Sequence, residues 1–443
     1  MAAGEVSERG RLTRFHYRII SVGGLGVLFD SMDVGIISFI LAALIGAWHL
    51  HRVEIGFVAS TGLVGMAVGA ALSGMWADRF GRRQIFMLTM LVYAVATGLS
   101  AAAITLWMLI LLRFIVGLGL GGELPVTTTL VTEFLPRHQR GRGIILLESF
   151  WAVGWFVAAL VSYFLIPHFG WRAGFLVGLT PALYVWYLRR GIPESPRYLA
   201  RTGRANQAMA ILHRSGASVT ELGDLAKNTK GAPRGGVARL FSARLRRRTV
   251  MLWILWAGMN FAYYGIFLWF PSVLVEHGYT LVVSLKYTLL VTAVEIPGYW
   301  SAAWLIDRWG RKAVLGVYIL MAALFAALFG HAHLTWQFLV FGSLLSFFNL
   351  GAWGATYTYT MEQYETLLRG TGSGWAMGVG RVGGIIGPAV VGWLFASHYG
   401  MTTVFYLFMT VLILTAMAVM LLGRETKGIS LESLELSTES PGA

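Results

Sequence analysis

The chain contains no cysteine. Disulfides, thiolate nucleophiles and cysteine-ligated metals are excluded at the outset. Charge is also scarce. Asp, Glu, Lys and Arg make up 13% of 443 residues, where a soluble chain carries about a quarter. No Asn-x-Ser/Thr acceptor occurs, which fits a prokaryotic inner membrane. The first seventeen residues are polar and basic and do not read as a cleavable signal peptide. None of the ten histidines falls in a ligand cluster; His49, His51, His331 and His333 sit at loop edges. No nucleophile–base or metal constellation is visible, so neither an enzyme nor a cofactor nor a metal is expected.

What the chain has instead is apolar length. Hydrophobic residues reach 56%, aromatics 14%, and there are 54 glycines. Small residues let membrane helices approach closely. Twelve spans are read at roughly 18–43, 54–77, 85–103, 106–131, 143–166, 171–188, 249–274, 287–306, 313–331, 335–361, 371–396 and 402–422. Between them, the side holding both termini carries about thirty Lys and Arg. The opposite side carries Arg52, Arg172 and Lys286. This asymmetry predicts cytoplasmic termini and accounts for the net charge of +14 without nucleic acid.

The chain also repeats itself. Asp78-Arg79-Phe80-Gly81-Arg82-Arg83 returns as Asp307-Arg308-Trp309-Gly310-Arg311-Lys312. Glu133 with Arg140-Gly141 returns at the same offset as Glu362 with Arg369-Gly370. The expected fold is all-α and integral to the membrane, with twelve transmembrane helices in two pseudo-symmetric six-helix bundles. The division is 1–17 N-terminal segment, 18–190 first bundle, 191–248 basic linker, 249–422 second bundle and 423–443 tail. The linker, with about fourteen basic residues counted from Arg189, includes Pro196–His213, which reads as one short amphipathic helix. The tail is polar, with nothing to bury, and is expected to be disordered. Gly81 and Gly310 permit tight turns. The charges around them, Asp78, Arg79, Arg82, Arg83, Arg142, Asp307, Arg308 and Arg311, are expected to form gating latches that hold one global state.

Asp-Arg-x-Gly-Arg-Arg after the second span resembles the signature of the major facilitator superfamily. Pro193-Glu194-Ser195-Pro196-Arg197-Tyr198-Leu199 and Arg113-x-x-x-Gly117-x-Gly119 resemble elements of its sugar-porter and organic-ion branches. Two longer runs are more specific: Gly121-Gly122-Glu123-Leu124-Pro125 through Leu147-Glu148-Ser149-Phe150-Trp151-Ala152-Val153-Gly154-Trp155, and Phe261-Ala262-Tyr263-Tyr264-Gly265-Ile266-Phe267-Leu268-Trp269-Phe270-Pro271. They resemble the bacterial niacin transporters, relatives of the synaptic-vesicle-glycoprotein-like and organic-ion proteins. The resemblance covers the whole membrane region. It implies the major facilitator fold and transport by alternating access.

Ionisable groups at membrane depth are expensive and are functional candidates by default. They are Asp30, Asp33, Arg113, Glu123, Glu148, Glu295 and Arg381. Arg381 lies deep in the eleventh span among glycines. A guanidinium stays charged and binds a carboxylate through two hydrogen bonds. In the organic-ion relatives an arginine here goes with anionic substrates. Glu148 and Trp151 share one face of the fifth span. Asn260, Tyr263 and Tyr264 share one of the seventh, and Asn349, Trp353 and Tyr357 one of the tenth. These nine residues are the expected substrate site. Aromatics beside one arginine suit a flat ring carrying a carboxylate. The resemblance also places Trp151, Tyr263, Tyr264 and Trp353 on ligand-lining positions, whereas Tyr357 replaces an acid.

Asp30 and Asp33, one turn apart, cannot both ionise cheaply in a low dielectric. With Glu123 they are the expected proton-coupling residues, Glu148 and Glu295 being alternatives. Structural pairing with Arg113 or Arg18 is the competing reading. Gly117-x-Gly119-x-Gly121-Gly122 lies in an apolar helix with no preceding strand. It reads as helix packing, not a nucleotide loop, as do Gly374/Gly378, Gly380/Gly384 and Gly383/Gly387. Pro388 is expected to bend its helix.

The expected function is import of a small aromatic monocarboxylate, nicotinate being the best single choice, either with proton symport or by uncoupled facilitation. The partners would be the organic anion, a proton and the bilayer, the chain acting as a monomer. A hydroxybenzoate-type porter, a sugar or polyol porter and a non-transporting ligand-binding membrane protein are the alternatives.

Overall fold

A computed structural model describes residues 13–135, 140–215, 237–243, 245–364 and 366–427. The side chains of Asp78 and Arg142, residues 216–236 of the linker and residues 428–443 of the tail lie outside the described set.

The first bundle comprises α1 (Arg14–Trp48), α2 (Arg52–Phe80), α3 (Arg82–Ser100), α4 (Leu106–Phe134), α5 (Arg140–Phe169), α6 (Trp171–Val177) and α7 (Thr180–Gly191). Two short helices follow, α8 (Pro196–Arg201) and α9 (Ala205–Ser215). The second bundle comprises α10 (Arg246–Phe267), α11 (Phe270–Glu276), α12 (Leu281–Ala293), α13 (Glu295–Trp309), α14 (Arg311–Gly330), α15 (Thr335–Glu362), α16 (Thr366–Ala396) and α17 (Met401–Leu422). Eleven helical stretches among the described residues are long and apolar enough to cross a membrane. The sixth expected span is present as α6 and α7, neither long enough alone.

Three spans are broken, and the breaks share one cause. A proline ring clashes with the carbonyl four residues earlier and offers it no N–H. Pro181, Pro271 and Pro297 lie four residues after Val177, Phe267 and Ala293, where α6, α10 and α12 end. Pro388 breaks nothing: α16 runs through it, and its carbonyl accepts the Trp269 indole N–H at 3.1 Å. The expected helix over Pro196–His213 is two helices, because the chain turns through Thr202 and Gly203 (φ +78°).

The repeated loops form two matching clusters at the face holding the termini. Gly81 and Gly310 take φ of +104° and +99°, open to glycine and strained for other residues. In the first cluster Arg82 Nε is 3.1 Å from Glu133, the Ser195 hydroxyl also donates to Glu133, and Glu194 accepts the Arg83 backbone N–H at 3.1 Å. In the second, Arg311 Nε is 3.1 Å from Glu362, Thr426 donates to Glu362 at 2.5 Å, and Glu425 accepts the Arg311 and Lys312 backbone N–H groups at 3.0 and 3.1 Å. Asp307 pairs with Arg311 on its own loop at 3.1 Å. Arg79 and Arg308 lie over Phe80 and Trp304, and their carbonyls accept Tyr198 Oη and Lys427 Nζ. These partners all belong to one bundle, so the contacts are ties within bundles. Glu425–Lys427 are thus docked, which corrects the expectation for the start of the tail; 428–443 lie outside the described residues. Burial alone would raise the Glu425 carboxyl. The backbone N–H groups of Lys427, Thr426, Arg311 and Lys312 outweigh it and hold the group below the usual carboxylate range.

The bundles meet unequally. Away from the termini, Ser60 donates to the Ile385 carbonyl at 2.8 Å, and a side chain on Gly392 would press on the Arg52 carbonyl at 2.7 Å. Arg52 reaches Glu276 at 3.0 Å and the Phe395 carbonyl at 2.6 Å, joining both bundles at that distal face. Toward the terminal face the same two helices, α2 and α16, part. Gly74, Gly374 and Gly378 have nothing within 4 Å of where a side chain would begin. The Gly374/Gly378 spacing is therefore not a packing motif, contrary to expectation. Gly383 and Gly387 are, against the Ala257 and Phe261 carbonyls, and Gly117 and Gly121 are, against those of Gly62 and Met66.

Candidate functional site

Arg381 lies midway along α16, where Gly380, Gly383 and Gly384 let α16 press against α10. Its side chain is only half-buried. Among the described residues no carboxylate comes within ion-pair distance of it. Tyr264 from α10 lies beside the guanidinium. Glu148 from α5 faces it from the other bundle, with the Tyr357 hydroxyl of α15 beside that carboxyl. The chain's other deep arginine is different. Arg113 on α4 is buried, pairs with Asp33 at 3.4 Å and donates to Thr97 and Ser100 at 3.3 and 3.0 Å. The crevice beside it is lined by Val58, Leu63, Met66 and Leu268. Its ionic groups are already paired to each other, so it offers an anion nothing.

The aromatic residues converge on the same centre. Trp151 of the first bundle donates its indole N–H to the Tyr263 hydroxyl of the second at 3.0 Å. Tyr263 packs edge-on against Tyr264 at 5.4 Å, Trp155 at 5.8 Å and Trp353 at 6.0 Å. Trp353 and Tyr357 both lean on Trp256, at 5.4 and 5.2 Å. This is a cage of flat faces with edges turned between neighbours, the arrangement aromatic quadrupoles favour. Its sides are α5, α10 and α15, and Arg381 lies at one end.

The two asparagines are set back. Asn260 donates to the Trp256 carbonyl of its own helix at 2.7 Å. Asn349 is buried with neither amide atom hydrogen-bonded. Near it, Ser346 donates at 3.0 Å to Glu295, the first residue of α13. The expected acidic trio divides. Asp33 belongs to Arg113 and also accepts Thr97 at 2.5 Å. Asp30 instead faces Glu123 across α1 and α4, with Tyr93 nearby. Glu123 fits because Gly26 leaves a notch, where a side chain would meet its oxygen at 2.6 Å.

Sequence reasoning left out Trp256 and Tyr299. Trp256 lies one turn before Asn260 on the face already chosen, so it was findable. The Tyr299 hydroxyl donates to the Ile145 carbonyl at 3.3 Å, one turn before Glu148, and nothing in the pattern of the eighth span marks it. Glu194 and Glu425 were also left out. Each is an acid just past the last span of its bundle, the Glu194-Ser195 and Glu425-Thr426 pairs echoing each other.

Two six-helix bundles around a polar centre, joined at the distal face by α2 and α16, which part toward the other, define a membrane transporter. The comparisons agree. Residues 23–437 match the family described as Sugar (and other) transporter, and the chain belongs to it. It is a multi-pass membrane protein of the major facilitator fold. The Niacin transporter NiaP of Acinetobacter baylyi is 48% identical over 427 residues, 96% of this chain and 97% of that one. The Synaptic vesicle 2-related protein of Xenopus laevis is 31% identical over 451 residues, 95% of this chain and 80% of that one. The inward open conformation of the xylose transporter XylE from E. coli superposes with a TM-score of 0.78 at 21% identity, covering 95% and 99% of the two chains.

Proposed function

We propose that the chain imports nicotinate, or an aromatic monocarboxylate of that size, by alternating access with a co-transported proton. The observation that carries this is Arg381: a positive charge in mid-membrane, facing the centre, with no carboxylate among the described residues within ion-pair distance and Glu148 facing it from farther off. Holding a charge there is expensive unless a counter-charge arrives. The aromatic faces beside it suit a flat ring, and the relative with 48% identity carries niacin in its name. The substrate carboxylate would take the guanidinium through two hydrogen bonds, with the ring between Trp151, Tyr263, Tyr264 and Trp353.

A sugar porter would need a centre rich in amides and hydroxyls. Here the two asparagines are set back and aromatic faces dominate. In this reading both termini are cytoplasmic, as the basic loops favour, so the parted face is the cytoplasmic one. The clusters around Arg82 and Arg311 move as rigid ends of their bundles, and the chain works as a monomer. An anion entering against an inside-negative potential is disfavoured, and one accompanying proton cancels that.

The test is uptake of labelled nicotinate into proteoliposomes with and without an inward proton gradient, competed by benzoate and by nicotinamide. Gradient-driven uptake blocked by benzoate but not by neutral nicotinamide is expected. Block by nicotinamide alone would make the ring the determinant and remove Arg381 from the centre of the account.

A further inference from the structure

We infer that Glu148 carries the co-transported proton, acting as the counter-ion of Arg381 that the substrate carboxylate replaces. This rests on the nicotinate reading and adds the coupling residue and its stoichiometry. Glu148 stands on α5 of the first bundle, buried, with its carboxyl turned to the centre where Arg381 of the second bundle lies. The charged and titratable groups facing it are Tyr357 from α15, Arg381 from α16, Tyr299 from α13 and Tyr264 from α10. Only one of these is a cation.

The charge balance then fixes the coupling. With the centre empty of substrate, and on the alkaline side of the Glu148 titration, Arg381 is positive and Glu148, facing it beyond ion-pair distance, is negative, so the site is neutral. A monocarboxylate added to that pair would leave one uncompensated negative charge in a low dielectric, which is strongly disfavoured. A proton bound to a Glu148 oxygen removes it. The substrate carboxylate then holds Arg381 and the site is neutral again. On release the carboxylate leaves, the proton leaves Glu148, and the original charge state is restored. One proton travels with one anion, and no net charge crosses the membrane.

The other carboxyls are less well placed for this exchange. Asp33 is engaged by Arg113, Thr97 and, through Arg113, Ser100. Glu295 is engaged by Ser346. Asp30 and Glu123 face each other inside the first bundle, and Asp30 reaches the centre only through Tyr264. An arriving substrate carboxylate displaces none of them from a cation. Among the described carboxyls it is Glu148 that faces the cation that the substrate needs. It also lies between the bundles, one turn from the Tyr299–Ile145 contact, so the rocking that opens one face changes its surroundings.

The experiment is calorimetric binding of nicotinate to the purified full chain across a range of pH, in two buffers of different ionisation enthalpy. On the alkaline side of the Glu148 titration wild type should take up one proton per nicotinate, falling to none on the acid side. Its Kd should weaken about tenfold per pH unit on the alkaline side of the Glu148 titration. Glu148→Gln should bind without proton uptake and with a flat pH profile. Glu148→Asp should keep the slope and move the midpoint, which guards against a Gln variant that does not fold. An unaltered slope in both variants, or loss of the slope in Asp30→Asn with its retention in Glu148→Gln, would overturn the assignment. No nicotinate binding by wild type at any pH would instead sink the substrate reading beneath it.

Discussion

Arg52→Ala should shift the protein toward a state with its distal face open. Arg52 joins the bundles there through three contacts: Glu276 at 3.0 Å, the Phe395 carbonyl at 2.6 Å and the Phe395 ring at 5.9 Å. The ion pair is partly exposed and is worth about 0.5 kcal/mol. The charged hydrogen bond contributes about 1.5 kcal/mol at the low end of its range, and the ring adds a few tenths. The total, about 2 kcal/mol, is a shift of roughly thirtyfold between the two states. The loss favours opening because these contacts exist only while the distal ends of the bundles touch. The chain has no cysteine of its own. Ala47→Cys and Ser397→Cys therefore place two spin labels on opposite bundles, both at exposed distal positions. Double electron–electron resonance should show a longer distance gaining population in the Arg52→Ala background, and less so in Glu276→Gln, which leaves the Phe395 contacts. An unchanged distance distribution would refute the gate.

Gly383→Ala would drive a methyl into the Ala257 carbonyl, a backbone atom that cannot swing aside. It should cost about 1–3 kcal/mol and lower the melting temperature, whereas Gly378→Ala, with nothing within 4 Å, should leave it unchanged. The Glu425 carboxyl is held below its usual range, so its tie to the Arg311 loop is present at neutral pH and lost as pH falls through that lowered value. Proteolysis of the C-terminal tail should rise only at the acid end of a titration in wild type, and be high throughout in Glu425→Gln. Tyr263→Phe leaves the Trp151 N–H without its acceptor; at about 1 kcal/mol for such a bond, nicotinate binding measured by calorimetry should weaken about fivefold, and equal affinity would remove this bond from the site.

The two-bundle fold was legible because its signals are local and repeated: long apolar runs, and the Asp78 and Asp307 loops at one offset. The helix breaks before Pro181, Pro271 and Pro297 were also readable in principle, since a proline acts on a residue four positions back. Arg381, Trp151, Tyr263, Tyr264, Trp353 and Glu148 share a centre because the polar face of each helix is set by spacing alone. Partner choice was not legible. Asp30 and Asp33 are one turn apart, yet one faces Glu123 and the other Arg113, a division set by the rotation of α1 against α4. The Gly374/Gly378 spacing matches that of Gly383/Gly387, and only the angle between α2 and α16 leaves the first pair open. The docking of Glu425 depends on backbone N–H groups, which carry no side-chain signature.

The most direct measurement is nicotinate binding to wild type, Arg381→Ala and Arg381→Lys. The account predicts a loss of about a hundredfold or more in the alanine variant, as for removal of one member of a desolvated charge pair. Lysine, which keeps the charge and loses the two-point geometry, should recover part of it. Unchanged nicotinate affinity in Arg381→Ala would contradict the claim that this arginine receives the substrate carboxylate.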